Sequence, residues 1–331
     1  MADASPTQPF VVAHDHGPGI DRLRGAVVAI GNFDGVHRGH RTVIDAALDR
    51  ARTIHRPAAA LTFEPHPRSF FHPDAHSFRL SSEAAKLRLL AATGLDGAIV
   101  LTFDAALAGL TAEQFVSDIL VDRLAIKGAA IGFNFHFGKQ RRGSPDFLEA
   151  QGRTHGFAVD IVPPFQLDGK RVSSGAVRDA LSAGHVTEAA ELLGYPYFVT
   201  AQVVHGDKRG RELGYPTVNL RLPPDCGLKY GVYAVRVGVG GMRYGGVANF
   251  GRRPMFDSGA VLLEVFLFDF SGDLYGAALD VAFISWIRPE MNFANVEELI
   301  RRMDDDSRQA RTALARAPDA FPALGVPNST Q

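Results

Sequence analysis

The chain has 331 residues, of which 46% are hydrophobic and 21% charged, with a formal net charge of −1 and a single cysteine, Cys226. That length exceeds one ordinary hydrophobic core, so two domains are expected, and the balanced charge argues against general electrostatic binding of nucleic acid, which wants a basic surplus to displace counterions. One thiol excludes an internal disulfide framework and a Cys-rich zinc site.

The opening residues, MADASPTQPF, lack the basic start and apolar core of a signal peptide. No apolar run approaches membrane-spanning length, and the most apolar stretch, 261–268, contains Glu264. A cytoplasmic protein is expected. From Gly25 to about Leu193, short apolar runs at 26–30, 58–63, 97–103 and 128–133 read as strands buried on both faces of a parallel sheet. Between them lie helical stretches. HRTVIDAALDRAR is the first; SSEAAKLRLLAATG, capped by Ser81 or Ser82 and ended by Gly94, is the second; TAEQFVSDILVDRLA is the third. This alternation predicts a doubly wound, Rossmann-like α/β domain. From Tyr197 the texture changes to six short runs at hairpin spacing, separated by glycine- and proline-rich turns. They predict a closed antiparallel six-stranded β-barrel, followed by a terminal helix over 296–315. The expected boundaries are 1–194 and 195–317, with a tail at 318–331 that frays.

The stretch VVAIGNFDGVHRGH runs from Val27 to His40 as a strand that breaks into a glycine-rich loop. In a doubly wound sheet, ligands sit at the carboxyl ends of strands beside a helix amino terminus. Gly31, Asn32, Phe33, Asp34 and Gly39 are therefore candidate phosphate-binding residues. His37 and His40, three apart at the helix start, point to nearly one side. Such a pair can hydrogen-bond a phosphate oxygen and stabilise charge on a pentacoordinate phosphorus. A zinc site, a dehydrogenase loop and a histidine-decorated helix cap are the alternatives. The first lacks the His-Glu-x-x-His spacing and the second lacks G-x-G-x-x-G. Further on, Ser173-Ser174-Gly175-Ala176-Val177-Arg178 opens another helix. Hydroxyls, backbone amides and an arginine one turn in make a candidate anion site; ordinary capping would also account for the serines.

The barrel segment opens with VVHGDKRGRELGYPTVNL, 203–220. Gly206, Lys208 and Arg211, with Arg209, Gly210 and Gly214, suggest a loop around a phosphate chain; a basic hairpin turn is the alternative. Thr217 and Asn219, two apart on a strand, face one side and offer hard neutral oxygens suited to Mg²⁺. Glu264 lies in VLLEVFLF among bulky apolar neighbours. A carboxylate there is either exposed on an edge or functional, because burying it alone is costly. Alternation leaves its direction open.

His37-Arg38-Gly39-His40 resembles the H-x-G-H signature of nucleotidylyltransferases, and the Ser173 stretch resembles their Ser-Ser-Thr-x-x-Arg signature, with Gly175 in place of threonine. LTFEPHPRSFF, IGFNFHFGKQRRG, GVANFGRRPMF, DLYGAALDVAFISWIRPEMNF and DDDSRQAR extend the likeness over about residues 10–315. In combination they resemble the prokaryotic bifunctional riboflavin kinase/FAD synthetases. The resemblance implies an N-terminal FMN adenylyltransferase domain and a C-terminal riboflavin kinase barrel, with ATP and Mg²⁺ at both sites and riboflavin, FMN and FAD as substrates and products. It implies that Phe63, Pro65, Pro67, Asn134 and Phe135 line a flavin pocket. It makes Glu264 the general base for the ribityl 5′-hydroxyl. It puts Asn249, Arg253, Arg288 and Glu290 near the flavin or its closing loops. Met255 and Asn292 stand where threonine and lysine are usual. The implied partners are small molecules, with no nucleic acid or membrane, and the chain is expected to be a monomer or weak homo-oligomer. Two other readings stay open: a nucleotidylyltransferase of another substrate, and a flavin-binding regulatory module without catalysis, which Gly175 and Met255 keep alive.

Overall fold

The computed structural model describes residues 9–72, 78–205, 214–252 and 261–329. Of the residues singled out above, Gly206, Lys208, Arg209, Gly210, Arg211, Arg253 and Met255 lie outside the described residues. By packing, the chain divides into two compact units after Ser173, and the segment from Ala323 onward returns to the first unit.

The first unit runs β1 (Phe10–His14), α1 (Ile20–Leu23), β2 (Val27–Ile30), α2 (Arg38–Thr53), β3 (Ala58–Glu64), α3 (Pro67–Phe71), α4 (Glu83–Ala91), β4 (Gly97–Thr102), α5 (Ala105–Gly109), α6 (Ala112–Gln114), β5 (Gly128–Gly132), α7 (Pro145–His155) and β6 (Ala158–Val162). A two-residue hairpin, β7 (Gln166–Leu167) and β8 (Lys170–Arg171), follows. The strands form one parallel sheet that includes the order β1-β4-β3-β2-β5-β6. Every residue of β2 is buried, as are the first six of β3. Successive side chains on a strand point to opposite faces, so burial of all of them means that both faces are covered. The α2 stripe Val43, Ile44, Ala47, Leu48 and Ala51 supplies part of that cover.

Two strands, β1 and β6, go beyond the sequence expectation. β6 is a sheet-edge strand whose residues are only half-buried or exposed, so it carries no strong apolar run. The third expected helix begins as α6, with a capping box between Thr111 and Gln114, and then winds as a π-helix over Phe115–Arg123. The strand order matters most for function. From β2 the chain moves through β3 to β4 on one side, then crosses back to β5 on the other side of β2. The loop after β2 therefore lies at the topological switch point, where the crevice of a doubly wound sheet opens.

The second unit begins with α8 (Ser174–Ala183) and α9 (Val186–Leu193). These helices pack on each other, and α9 packs on a later strand, so residues 174–193 fold with the barrel rather than with the sheet. Lys229 ties them in: its amide donates to Leu181 O (3.1 Å) and its Nζ to Ala183 O (3.2 Å). The strands are β9 (Phe198–Val204), β10 (Thr217–Arg221), β11 (Gly231–Val239), β12 (Met242–Arg252), β13 (Val261–Leu267) and β14 (Ala278–Arg288). They close as an antiparallel six-stranded barrel in the order β10-β13-β12-β11-β14-β9. In β13 the odd-numbered residues are buried and the even-numbered ones half-buried. The terminal helix α10 (Val296–Ala315) lays Ala310 and Leu314 against Phe268 and Ala234.

The tail corrects an expectation. Rather than fraying, Pro327–Ser329 forms β15, parallel to β1, with Phe10 opposite Pro327 and Val11 opposite Asn328. Gly325 N donates to Arg88 O at 2.9 Å just before it. Without this pairing β1 would present an edge of unpaired amides. Three residues carry too little local preference for sequence to announce such a strand.

Candidate functional site

At the switch point, His37 is the N-cap of α2. Its Nδ1 accepts from His40 N at 3.1 Å, a task usually done by a serine or aspartate oxygen. An accepting Nδ1 carries no proton, so the ring proton sits on Nε2. The His40 ring stacks on that of His37, with centroids 3.6 Å apart and planes 14° apart, and Phe33 meets His40 edge-on at 5.3 Å. Burial foremost, then the His37 ring and the Lys86 cation, hold the His40 imidazole well below its ordinary pKa. His40 is therefore neutral at pH 7. Its Nδ1 is buried and has no hydrogen-bond partner among the described residues. Gly39 keeps space beside the His37 ring: a Cβ there would lie 3.2 Å from His37 Cε1, a tight contact, and 3.5 Å from Val172 O.

The loop itself is held from below. Phe33 and Val36 have positive φ (50° and 36°), as does Gly35 (82°), and Phe33 is fully buried. Asp34, 3% exposed, accepts from Ser81 N (3.0 Å), Ser81 Oγ (3.3 Å) and Leu80 N (3.3 Å), while Gly35 N donates to Ser81 Oγ at 3.0 Å. The Asp34 carboxylate is thus engaged in shaping the loop. Of the two serines offered as helix caps, Ser82 caps α4 by accepting from Ala85 N, and Ser81 serves the glycine loop.

Beside this loop, the carboxyl ends of β3, β4 and β5 carry an aromatic wall. Phe63 is buried against Phe103 and Phe115, and Phe103 also meets Phe70 and Phe71 edge-on at 5.5 and 5.7 Å. Pro65 is exposed and Pro67 opens α3. Asn134 is exposed after β5, and Phe135 stacks on Phe137 at 5.4 Å. Phe70, Phe71 and Phe103 were not singled out by sequence reading, since phenylalanines read first as core.

A second set of residues went unnoticed. Lys86, Arg79 and Glu64 form an ion cluster in which Lys86 is buried and the other two are half-buried, with Glu64 Oε1 2.6 Å from both Lys86 Nζ and Arg79 Nη2. Burial pushes the Glu64 carboxyl up, but Arg79 and Lys86 more than reverse this and leave it below its ordinary value. Burial lowers Lys86 further than Glu64 restores it. The available signal was a lysine set among Ala85, Leu89 and Leu90 on the apolar side of α4.

Ser173 directly precedes α8, and Ser174 is its first residue, with Arg178 one turn in and half-buried. In the barrel, register gathers the predicted residues. Asn219 on β10 and Asn249 on β12 both stand opposite Glu264 on β13, and Thr217 stands opposite Phe266. Directly paired residues share a face, so the three side chains form a row. Glu264 lies on the half-buried, outer side of β13, with Leu263 and Val265 inside. Asn219 is 7% exposed, and its Oδ1 is buried without a hydrogen-bond partner among the described residues. Glu290 joins the row. Its carboxyl is raised by burial first and then by the nearby Glu264 charge, against a hydrogen bond with Asn249. A Cβ on Gly251 would overlap the Glu290 carboxylate. Arg288, expected near the flavin, has its guanidinium bound to Asp306 of α10, with Nε to Oδ1 2.9 Å and Nη2 to Oδ2 2.6 Å, and to Pro289 O at 2.9 Å. Among the described residues no group of three or more His, Cys, Asp or Glu is gathered as a metal-ligand set.

A doubly wound α/β unit is thus followed by a closed barrel that carries a carboxylate–amide row. Two family models divide the chain accordingly: FAD synthetase matches residues 20–176, and riboflavin kinase matches 193–314. The chain is 42% identical over 298 residues to the bifunctional riboflavin kinase/FMN adenylyltransferase of Pseudomonas fluorescens, covering 90% of this chain and 95% of that one. It is 41% identical over 288 residues to the same-named protein of Escherichia coli (strain K12), covering 87% and 92%. A crystal structure from Streptococcus pneumoniae, described as a macrolide-efflux protein, matches with a TM-score of 0.81 at 29% identity, covering 91% of this chain and 99% of that one. The chain belongs to the bifunctional riboflavin kinase/FMN adenylyltransferase family. Its N-terminal part is the FMN adenylyltransferase and its C-terminal part the riboflavin kinase, so riboflavin, FMN and ATP are its substrates. The readings with another substrate or without catalysis give way to this one. Among the described residues no helix is long and apolar enough to cross a membrane.

Proposed function

We propose that loop 31–40 carries adenylyl transfer and that the outer face bearing Thr217, Asn219 and Glu264 carries phosphoryl transfer. In the first reaction the terminal phosphate of FMN attacks the α-phosphorus of ATP, and pyrophosphate leaves. The substrate supplies the nucleophile, so the protein aligns the reactants and stabilises charge. His37, through Nε2–H, and neutral His40 donate to phosphate oxygens as charge gathers, and the first amides of α2 add to them. Gly31, Asn32 and Phe33 shape the loop, Gly39 admits close approach, and Asp34 acts by holding the loop to Ser81. Ser173, Ser174 and Arg178 are assigned further phosphate contacts by family likeness, with Gly175 offering one hydroxyl fewer. The aromatic wall around Phe63, with Pro65, Pro67, Asn134 and Phe135, receives the flavin ring.

In the second reaction the Glu264 carboxylate takes the proton of the ribityl 5′-hydroxyl as that oxygen attacks the γ-phosphorus of ATP, and ADP leaves. The donor set fits Mg²⁺: the buried, unpartnered Asn219 Oδ1 is a hard neutral oxygen, and Thr217 offers another on the same strand face. When bound, the ion would offset charge on the phosphates. Gly206, Lys208 and Arg211 are assigned to the phosphate chain by likeness alone. Arg288 is assigned near the flavin by family likeness, and its guanidinium, held by Asp306, also seats α10. We assign adenylyl transfer to 1–194 and the kinase to 195–317. A cytoplasmic location, no nucleic-acid partner and a monomer or weak homo-oligomer complete the reading; the net charge of −1 supports the second of these.

The observation that carries the reading is the row Asn219–Glu264–Asn249, whose one buried acceptor has no partner among the described residues. Its test is chromatography of flavins from variants supplied with ATP and Mg²⁺. Glu264→Ala should stop FMN formation from riboflavin yet keep FAD formation from FMN. His40→Ala should lower FAD formation by about 10²–10³-fold and spare FMN formation. If a folded variant lost both steps together, independent sites would be the wrong model.

A further inference from the structure

Adenylyl transfer demands that two loops agree on distance. The glycine loop holds the nucleotide and the segment after β3 faces the flavin, and a misplacement of about 1 Å between reacting groups can cost about 100-fold in rate. Residues 79–86 bind both loops. Toward the glycine loop, Leu80 and Ser81 donate to Asp34. Toward the flavin side, Arg79 and Lys86 hold Glu64 at 2.6 Å each. Between them runs a directional relay. Lys86 Nζ donates to Thr62 Oγ1 at 3.1 Å, and Thr62 Oγ1 donates to Asn32 O, in the glycine loop, at 3.3 Å. Lys86 Nζ also reaches Phe63 O at 3.4 Å, the carbonyl just before Glu64. Lys86 is 1% exposed and Thr62 fully buried.

A buried ion pair is a poor source of stability, since apolar side chains of similar volume often do as well. What it supplies is fixed geometry. An apolar residue at 86 would fill the space between α4 and β3, but could not tie a loop carbonyl, a strand carbonyl and a carboxylate to one point. We infer that Lys86 is a positioning residue for FMN adenylylation, setting the nucleotide loop against the flavin loop through Thr62 and Glu64; this rests on the assignment of that reaction to loop 31–40.

The experiment uses the full chain: the unfolding transition of the first unit reports on the fold around Lys86 and Thr62, and the riboflavin kinase step reports on the barrel. Lys86→Met should lower kcat for FAD formation from FMN and ATP by about 100-fold, with KM for either substrate little changed. Lys86→Arg, which keeps the charge, should recover part of the loss. Thr62→Val removes only the relay hydroxyl at nearly constant volume and should lower kcat in the same sense, by less. FMN formation should be unchanged in all three. An unchanged kcat in Thr62→Val and in Lys86→Met, or a loss confined to KM, overturns the inference. If Lys86→Met does not fold, Thr62→Val decides alone. His40→Ala is the reference. If it too leaves FAD formation untouched, the site assignment has failed; if it is impaired while the Lys86 and Thr62 variants are not, only the brace has failed.

Discussion

His37 closes α2 with an imidazole nitrogen, and this fixes its tautomer as well as its place. A serine in that position would cap the helix but offer no N–H aimed outward from a rigid ring. Burial foremost, then the His37 ring and the Lys86 cation, keep His40 neutral. The depressed His40 pKa has a consequence for stability. Below about pH 6.5 the unfolded chain takes up a proton at this residue that the native chain refuses, so stability falls with pH there; above it the group contributes no pH dependence. The denaturation midpoint of the first unit should therefore drop more between pH 7 and 5.5 in the parent than in His40→Gln. Equal drops would show that burial does not depress this histidine. In the barrel, Asn219→Ala should raise the Mg²⁺ concentration for half-maximal FMN formation on the order of tenfold and leave the metal dependence of FAD formation where it was. A metal titration of each reaction checks this. Cys226, by contrast, is half-buried with its thiol pushed up to about 11 by burial, which makes it a poor nucleophile.

At the scale of elements, Arg288, expected near the flavin, also has a structural part in seating the terminal helix. Arg288 ends β14, and Asp306 lies within α10; both side chains are at least nine-tenths buried. Their multiple hydrogen bonds fasten the helix to the barrel, and Arg302 adds a contact to Asp306 at 3.5 Å. Asp306→Ala would strand a buried guanidinium, and removal of one partner of such a pair costs about 3–5 kcal/mol. Urea denaturation of the barrel, followed by the fluorescence of Trp286, should show that loss; a change under 1 kcal/mol would mean that Pro289 O and solvent suffice. The six barrel strands, the terminal helix and α2 were legible because their periodicity is strong and their turns carry glycine and proline. β1, β6 and β15 were not, for they are short or lie at or near a sheet edge, where pairing decides and side-chain pattern says little.

On the scale of the whole chain, the polypeptide divides into two compact units, yet the first is discontinuous in sequence, because β15 returns to pair with β1. Deleting residues 323–331 should destabilise the first unit by about 1–2 kcal/mol, the net worth of a few backbone hydrogen bonds, with the barrel transition and FMN formation unchanged. A two-step denaturation curve tests this, and a shift of the barrel transition would contradict it. The division after Ser173 also puts α8 and α9 with the barrel, whereas the change of texture that sequence reveals comes only at Tyr197. Helix pattern identifies a helix but does not name the neighbour on which its apolar stripe is buried.

Sequence by itself determined the two fold classes, the glycine loop with its histidine pair, and the strand bearing Thr217 and Asn219. These follow from local chemistry: periodicity, turn residues and the spacing of polar groups along one element. Tertiary structure alone decided that Glu264 faces outward between Asn219 and Asn249, that Asp34 serves Ser81, that Arg288 belongs to Asp306, and that Lys86 joins two loops. Each of those outcomes depends on a partner on a different element, and a one-residue change of register would have turned any of the strand residues to the opposite face.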